Sequence, residues 1–331
     1  MPVFDYAVVR VFFATDRNVT GNELPAKKFG AERSQLAYGS TTISIPRDHK
    51  LGVTETPSIW KLEFRENPDK HVILQSAVIQ PKDEFFSAIA ERVHSSADGS
   101  AFVFVHGYNV TFEDAAKRTA QISYDLGFDG APVFYSWPSE GKTAAYTIDE
   151  GNVEWAQSNL KNFLEDFFVR SDAKNVYLIA HSMGSRALTR AVSSLMAERK
   201  DFQPRLKEII LAAPDIDAAV FKKDIAPALK AAGRPITLYV SSKDIALIAS
   251  KKVHRYPRAG ESGRGLVVVP GIETVDATGV DTGFLGHSYF ADTRTVLSDM
   301  STLFKTGQRA GQRFGLRDAG THNNRYWSFK K

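Results

Sequence analysis

The stretch NVYLIAHSMGSRAL, residues 175–188, decides the fold that this sequence predicts. Its apolar residues 176–180 indicate a strand buried on both faces. A helix is predicted over 182–198, so the strand enters it through a tight turn centred on Ser182. The turn places the serine hydroxyl at a helix N-terminus, where the helix dipole favours negative charge. A serine that only caps the helix has the same local pattern, so the stretch leaves both interpretations open.

Strands and helices alternate on both sides of this stretch. This alternation predicts an α/β fold with a mostly parallel sheet and helices on both faces. The predicted strands of this part are 101–105, 131–137, 175–180, 208–213, 235–241 and 265–276, the last with a bulge at 270–271. The predicted helices are 111–126, 144–168, 182–198, 218–232, 244–250 and 288–304.

The first hundred residues favour β-structure. Short β-rich runs are bounded by Gly, Pro and Asp-Arg turns, and the polar stretch 17–38 is predicted to be a surface loop. The predicted strands are 8–14, 41–46, 60–64 and 72–80, followed by a helix from Pro81 to about His94. We expect one domain over 1–331, with a β-rich part at 1–100, an α/β core at 101–304 and a basic C-terminal arm at 305–331.

Composition excludes several classes of site. The chain has 331 residues, 43% hydrophobic and 24% charged, and no cysteine, so disulfides, thiolate metal sites and a cysteine nucleophile are excluded. No apolar run approaches the ~18 residues of a membrane helix, so no integral membrane segment is expected. No signal peptide is visible, which predicts a cytoplasmic protein, although a leader removed before Met1 would leave no trace.

The basic charge is concentrated in the tail. Residues 305–331 hold seven basic residues and one acid and carry +6, whereas the rest of the chain carries −2 within the total of +4. A near-neutral body argues against a nucleic-acid-binding surface. We expect an extended arm whose arginines Arg309, Arg313 and Arg317 pair with an acidic surface of the same chain, or of a neighbouring subunit in a homo-oligomer.

A second signal is FVFVHGYN, residues 102–109, where a buried strand ends in His106-Gly107. Glycine gives the chain the freedom to turn neighbouring amides toward one point. When a serine lies on a tight strand-to-helix turn, called a nucleophile elbow, the residue after it supplies one N–H donor of an oxyanion hole. The loop after a strand such as this one supplies the other donor. Here these are the backbone amides of Tyr108 and Met183. The His106 side chain is interpreted as a structural group that bonds loop carbonyls.

A third signal is the order of acid and histidine after Ser182. Asp244 follows the strand 235–241, and His287 follows the last strand at the start of the final helix. The other downstream histidines, His254 and His322, lie in a basic stretch and in the tail. The order Ser182, Asp244, His287 is that of a catalytic triad on a strand-to-helix elbow. Asp276 and Asp281 remain alternatives for the acid.

Taken together, these residues resemble an α/β-hydrolase, and more narrowly a bacterial group of uncharacterised serine hydrolases of the esterase/lipase superfamily. The elbow carries Ala180 where the motif G-x-S-x-G has its first glycine. The resemblance covers most of the chain and depends on these segments: FFATDRN (12–18), FGAERS (29–34), YGSTTISIPRDHKLG (38–52), VFVHGYN (103–109), VFYSWPS (133–139), AHSMGSRAL (180–188), AAPDID (212–217), YVSSKDIAL (239–247) and GHSYF (286–290).

The resemblance implies a serine hydrolase that cleaves ester bonds through Ser182, Asp244 and His287, without a metal or an organic cofactor. We expect small acyl substrates, because only one helix separates the strands 208–213 and 235–241 and leaves no room for a large cap. Mobile loops at 139–155 and 275–285 are expected to cover the site, and Tyr108, Trp137 and Phe284 to line it. Peptidase, lactonase and amidase activities share the triad, and a non-catalytic binding protein of this fold is the alternative from another class.

Overall fold

One β-sheet contains strands from nearly the whole length of the chain. The computed structural model describes residues 5–57, 66–242, 250, 254–278, 280, 294–321 and 324–330. Its strands are β1 (Tyr6–Val19), β2 (Phe29–Pro46), β3 (Ile73–Gln80), β4 (Ser100–Val105), β5 (Gly130–Ser136), β6 (Asn175–His181), β7 (Leu206–Ala212), β8 (Ile236–Val240), β9 (Glu273–Asp276), β10 (Leu316–Asp318) and β11 (Trp327–Phe329). They form one sheet in the order β10-β11-β9-β8-β7-β6-β4-β5-β1-β2-β3.

Pairing in this sheet is mostly parallel. The strands from β11 to β1 run parallel, and only the pairs β1–β2, β2–β3 and β10–β11 are antiparallel. The predicted α/β fold with an N-terminal β-rich part is therefore confirmed. Strand order reverses beside β4, since β5 lies on one side of it and β6 on the other. Carboxyl ends of strands at such a reversal form a crevice, which is where ligands bind in open α/β sheets.

Helices follow most of the central strands. They are α1 (Lys82–His94), α2 (Phe112–Asp125), α3 (Tyr146–Arg170), α4 (Gly184–Glu198), α5 (Ala218–Val220), α6 (Ala226–Ala231) and α7 (Arg294–Thr306), with a π-helical segment Phe221–Ile225 between α5 and α6. Two hydrophobic clusters lie on the two faces of the sheet, one centred on α1, α3 and α4 and the other on α2 and α7. Of the helices that the structure describes, none is both long and apolar enough to cross a lipid bilayer.

Several sequence-based boundaries are wrong. The stretch 17–38 is not a loop, because β1 continues to Val19 and β2 already begins at Phe29, with a 3-10 helix at Pro25–Lys27 between them. Cross-strand pairing of two long strands outweighs their polar composition here. In the stretch 265–276 only Glu273–Asp276 is a strand. The predicted strand 60–64, residues 244–249 of the predicted helix 244–250 and the first turns of the helix from 288 lie outside the described residues.

The C-terminal tail is built into the sheet. Its strand β11 pairs with β9, and β10 closes the edge as an antiparallel partner. Arg309 forms ion pairs of 2.7 Å with Glu208 and with Glu273, while Arg313 lies 2.9 Å from Asp299. The expectation that these two arginines meet acidic groups of their own chain is confirmed. The tail differs from a simple extended arm because its backbone contributes sheet hydrogen bonds.

A buried histidine fastens the loop after β2 to the end of α2. His49 Nδ1 lies 2.8 Å from Glu55 Oε2, and Nε2 lies 2.8 Å from Asp125 Oδ1. Burial by itself would lower the pKa of His49, but the hydrogen bonds and charges of Asp125 and Glu55 outweigh burial and raise the pKa to about 9. His49 is therefore an imidazolium at neutral pH, held between two carboxylates.

We expect His49→Gln to destabilise the protein in a pH-dependent way. A pKa raised in the folded state stabilises fully below the ordinary value of about 6.5, and this stabilisation disappears as pH rises through about 9. The free energy of unfolding in urea should fall by about 3 kcal/mol at pH 6 and by much less at pH 10. The control is His94→Gln, whose exposed side chain pairs with Asp172. An equal loss at both pH values would contradict the charged state of His49.

Candidate functional site

Ser182 occupies the turn between β6 and α4 in a strained backbone conformation. Its φ is +49°, in the left-handed region that residues with a side chain seldom adopt. Backbone hydrogen bonds hold it there. Its N–H donates to the carbonyl of Ala212 at 2.9 Å, and its own carbonyl accepts from the N–H groups of Ser185 and Asp215, each at 3.1 Å. The turn is thus fixed from its own helix and from the end of β7.

Two glycines allow the turn to lie directly against the end of β4. A Cβ atom on Gly184 would lie 2.2 Å from the carbonyl oxygen of His106, a distance that no carbon atom tolerates. A Cβ atom on Gly107 would lie 2.9 Å from the Cβ of Ser182. The residue two places before the serine, Ala180, is fully buried in β6 and is accommodated. Close approach therefore requires glycine after the serine, whereas alanine suffices before it.

Two backbone amides lie beside Ser182. Met183 begins the helical conformation of α4 with φ −61° and ψ −29°, and Tyr108 follows the glycine that touches Ser182. Within the described ranges, neither amide N–H has a hydrogen-bond partner, and neither does the Ser182 hydroxyl. The sequence predicts these two amides as oxyanion donors, and no contact among the described residues occupies them.

The remaining triad candidates are not described. Asp244 and His287 both lie outside the described residues, as do Asp281 and Phe284. Asp276, an alternative acid, ends β9 and accepts hydrogen bonds from the Ser262 hydroxyl at 2.6 Å and from the Thr278 amide at 2.9 Å. Asp276 is thus already engaged in ordering the turn after β9.

His106 belongs to the framework of the loop after β4. It is buried and stacks on Trp137 with ring centroids 5.0 Å apart. Its Nδ1 lies 2.8 Å from the carbonyl oxygen of Gly107, and its Nε2 lies 3.2 Å from Ser136 Oγ. Burial, with the nearby Arg17 charge, holds its pKa well below the ordinary value, so the ring is neutral. These contacts agree with the structural role that the sequence suggests for this histidine.

Two expectations about the surroundings of the site need correction. Trp137 does not line a pocket. It is completely buried behind the loop, where its indole N–H donates to the carbonyl of His106 at 2.8 Å. The stretch 139–155 is not a mobile loop either, because it contains the 3-10 helix Thr143–Ala145 and the first turns of α3. Tyr108 is half-buried, with its ring 5.1 Å from that of Tyr146.

A buried charge cluster next to Ser182 is absent from the sequence-based list of site residues. Its centre is Asp215, which follows β7 within the segment AAPDID. The Asp215 carboxylate accepts from the Arg258 Nε at 2.7 Å, from the Ser250 hydroxyl at 2.6 Å and from the Tyr146 hydroxyl at 2.5 Å. Arg186, on the first turn of α4, donates to it at 3.2 Å.

This cluster leaves Asp215 saturated. Burial by itself would raise the pKa of Asp215, but the charges of Arg186 and Arg258 outweigh burial and hold the pKa below its ordinary value. A carboxylate with four donors is not available to orient a histidine, so Asp215 braces the turn instead. A sequence signal existed in the acid a few residues after a buried strand, but its arginine partners are distant in sequence. His254 joins the same region, with Nε2 3.0 Å from Glu150.

The described residues show no ready-made metal site. Across those ranges, no group of three or more histidine or acidic side chains is placed to hold a metal ion.

Comparison with known proteins places the chain in a family. Residues 81–305 match the model of a family described as alpha/beta hydrolase of unknown function (DUF900). No curated protein matched the sequence.

Solved structures were also compared. A predicted CIB-like hydrolase from Thermoplasma acidophilum is 13% identical, with 92% of this chain and 100% of that chain covered and a TM-score of 0.39. Est1E from Butyrivibrio proteoclasticus is 9% identical, with coverages of 82% and 94% and a TM-score of 0.36. The carboxylesterase CesB from Bacillus subtilis is 11% identical, with coverages of 63% and 85% and a TM-score of 0.34. At these TM-scores, no conclusion about this chain depends on them.

We expect Gly184→Ala to destabilise the protein, because the new methyl group would meet the His106 carbonyl at 2.2 Å and must displace backbone. Overpacking of this kind typically costs about 1–3 kcal/mol, measured as the free energy of unfolding in urea. The matched control is Gly151→Ala in α3, where the nearest atom to the new Cβ is the end of Arg33 at 3.4 Å. That change should leave stability equal or raise it by up to about 1 kcal/mol. Equal effects of the two changes would show that the turn does not need glycine.

Proposed function

The chain belongs to the α/β-hydrolase family whose model it matches over residues 81–305, and we propose that it is a serine hydrolase that cleaves esters of small acyl groups. One observation carries the proposal. Ser182 has φ +49° on a turn between a buried strand and a helix, beside amides that bind nothing else among the described residues. Strain of this kind persists at functional sites, where surrounding contacts fix it. A helix-capping serine needs no such conformation, since N-cap residues typically have β-region backbone angles.

The proposed mechanism is acyl transfer in two steps. His287 accepts the Ser182 proton while Oγ attacks the ester carbonyl carbon, and Asp244 holds the imidazole in the correct tautomer. The carbonyl oxygen becomes an oxyanion that accepts from the Tyr108 and Met183 amides. Each such donor contributes roughly 3–4 kcal/mol to transition-state stabilisation. The alcohol leaves with the proton from His287, and water then attacks the acyl-enzyme by the same route.

Peptidase, lactonase and amidase activities use the same groups, so substrate competition must separate them from esterase activity. A non-catalytic binding protein of this fold is the second candidate class. It has no requirement for a strained serine beside two free amides, and labelling by a fluorophosphonate separates the two classes directly. Such a probe reacts with an activated serine, and peptide mapping then identifies the residue that carries the label.

We expect Ser182→Ala and His287→Ala each to abolish nearly all hydrolysis of a short-chain aryl ester. Losses of on the order of 10⁴ or more in kcat should be similar and non-additive in the double variant, because the residues act as one unit. Asp244→Asn should lose on the order of 10⁴ through the wrong histidine tautomer. Kinetics with purified protein and far-UV circular dichroism would check that activity disappears while the fold remains.

The controls for the acid are Asp276→Asn and Asp281→Asn. A larger loss of kcat in either control than in Asp244→Asn would transfer the role of acid to that residue. More than about a tenth of wild-type turnover in Ser182→Ala, with contaminating esterase excluded, would refute the nucleophile.

We expect kcat/KM to be highest for acetyl or butyryl esters. The connection between β7 and β8 consists only of α5, the π-helical segment and α6, so no large cap is inserted there to enclose a long chain. Acetyl, butyryl, octanoyl and palmitoyl esters of one alcohol, compared at matched concentrations below micelle formation, provide the measurement. A maximum at octanoyl or beyond would contradict a small acyl site.

A further inference from the structure

Arg17, near the end of β1, is a buried cation to which the proposed function gives no role. It is 2% exposed, and its guanidinium donates to four neutral oxygens. Burial lowers its pKa to about 10, so it stays charged at neutral pH. Burial of a charge is costly, and it is usually offset by a direct ion pair. The neutral acceptors of Arg17 therefore call for a role in holding these particular oxygens.

Three of those oxygens lie after β4 or at the end of β5, and the fourth is the Gly30 carbonyl of β2, at 3.0 Å. Arg17 Nη2 donates to the carbonyl of Val110 at 2.8 Å, in the loop after β4. Its Nη1 donates to the carbonyl of Ser139 at 2.8 Å, and its Nε to Ser136 Oγ at 2.8 Å, both at the end of β5. The planar guanidinium of Arg17 thus links the loop after β4, which contains Tyr108, to the loop after β5.

The hydrogen bonds also define a relay from Arg17 to Gly107. A guanidinium only donates, so Ser136 Oγ accepts from Arg17 and its own hydrogen is free to donate to His106 Nε2, 3.2 Å away. A carbonyl only accepts, so His106 Nδ1 carries the proton that bonds the Gly107 carbonyl at 2.8 Å. The chain of donors runs from Arg17 through Ser136 and His106 to Gly107, and it selects one neutral tautomer of the histidine.

The end of this relay fixes the direction of the Tyr108 amide. In a planar trans peptide, the C=O of one residue and the N–H of the next point in opposite directions. When His106 holds the Gly107 carbonyl, the Tyr108 N–H must point away from the His106 ring. A single rotation of this peptide plane would remove the donor from its position.

A second group holds the other side of Tyr108. Asp149, near the start of α3, accepts from the Asn109 amide at 3.2 Å and from the Ser139 hydroxyl at 2.6 Å. The Val110 amide in turn donates to Ser139 Oγ at 3.1 Å. These bonds hold Asn109 at φ +58°, in the left-handed region. Hydrogen bonds therefore hold the backbone of Gly107, Asn109 and Val110, and the Tyr108 hydroxyl donates to the Thr143 carbonyl, while the Tyr108 amide has no partner among the described residues.

We propose that Arg17 is a positioning residue that orients the Tyr108 amide toward the oxyanion, through Ser136 and His106 and through the Val110 carbonyl. This inference rests on the proposed function, in which the Tyr108 amide is an oxyanion donor. Arg17 acts before any substrate binds, because all its acceptors belong to the protein. Loss of Arg17 should reduce the stabilisation of the transition state and leave ground-state binding of the ester unchanged.

The test uses Arg17→Met, which removes the whole guanidinium, and Ser136→Ala, which removes one hydroxyl from the relay and keeps the loop packing. We expect kcat to fall ~10²-fold in Arg17→Met, the loss typical for one oxyanion donor, and by a smaller factor in Ser136→Ala, with KM unchanged. The inhibition constant of a trifluoromethyl ketone, whose adduct with a serine is an oxyanion, should rise by the same factor as kcat falls.

The matched control is Arg205→Met. Arg205 also donates to backbone carbonyls, those of Ala173 and Phe168, but it does so at the opposite, amino-terminal edge of the sheet. This variant should lose stability while kcat and the inhibition constant stay at wild-type values. If Arg205→Met lowers kcat as much as Arg17→Met does, the effect is a general loss of stability and the positioning role is overturned.

Hydrogen exchange separates this inference from the proposed function. The hydrogen-bonded amides of Asn109 and Val110 should exchange faster in Ser136→Ala than in the wild type, whether or not Ser182 is a nucleophile. If a fluorophosphonate does not label Ser182, the proposed function fails, and the exchange data alone then decide whether the relay orders the loop. Unchanged exchange overturns the relay. If a fluorophosphonate labels Ser182, and Ser136→Ala shows faster exchange but keeps wild-type kcat, the relay has no role in the reaction.

Discussion

The crossing of the turn after β6 over the end of β4 is the contact on which the site depends. At Gly184 the two backbones approach more closely than a side chain permits, because a Cβ there would lie 2.2 Å from the His106 carbonyl oxygen, and a Cβ on Gly107 would lie 2.9 Å from the Cβ of Ser182. β4 and β6 are neighbours in register, with Val105 opposite Ala180, so their carboxyl ends lead their loops to the same point. The strained conformation of Ser182 follows from this crossing, which also brings beside it the amides of Tyr108 and Met183, both unpaired among the described residues.

Buried charges hold the loops around that crossing, and each acts differently. Asp215 accepts from Arg186 and Arg258 and ties α4 to the segment before β9. Arg17 bonds only neutral oxygens, and in doing so it joins the loops after β4 and β5. A buried ion pair adds little net stability once its desolvation is counted, but removal of one partner is costly. These clusters therefore specify loop positions more than they stabilise the fold.

Ion pairs also hold the chain in place at the far edge of the sheet, where they have no role in the site. Glu208 on β7 and Glu273 on β9 are both paired with Arg309, which ties the tail to the starts of two strands. Arg313 meets Asp299 of α7 close to Tyr239 of β8. The tail then adds β10 and β11 beyond β9. At these two arginines the basic charge of the tail is paired with acidic residues of the rest of the chain. This agrees with the net negative charge of residues 1–304.

The sequence by itself determined the elements whose signals are local. Continuous apolar runs identified β4, β5, β6, β7 and β8, because strands covered on both faces need apolar side chains at every position. The small residues around Ser182 identified the strand-to-helix turn, since the turn itself excludes larger ones. Tertiary structure decided what depends on distant partners. The long β1–β2 pair has polar ends whose strand conformation comes from cross-strand bonds, and the acceptors of Arg17 lie up to 122 positions away in the chain. No local pattern records such contacts, because their free energy exists only once the sheet has brought the loops together.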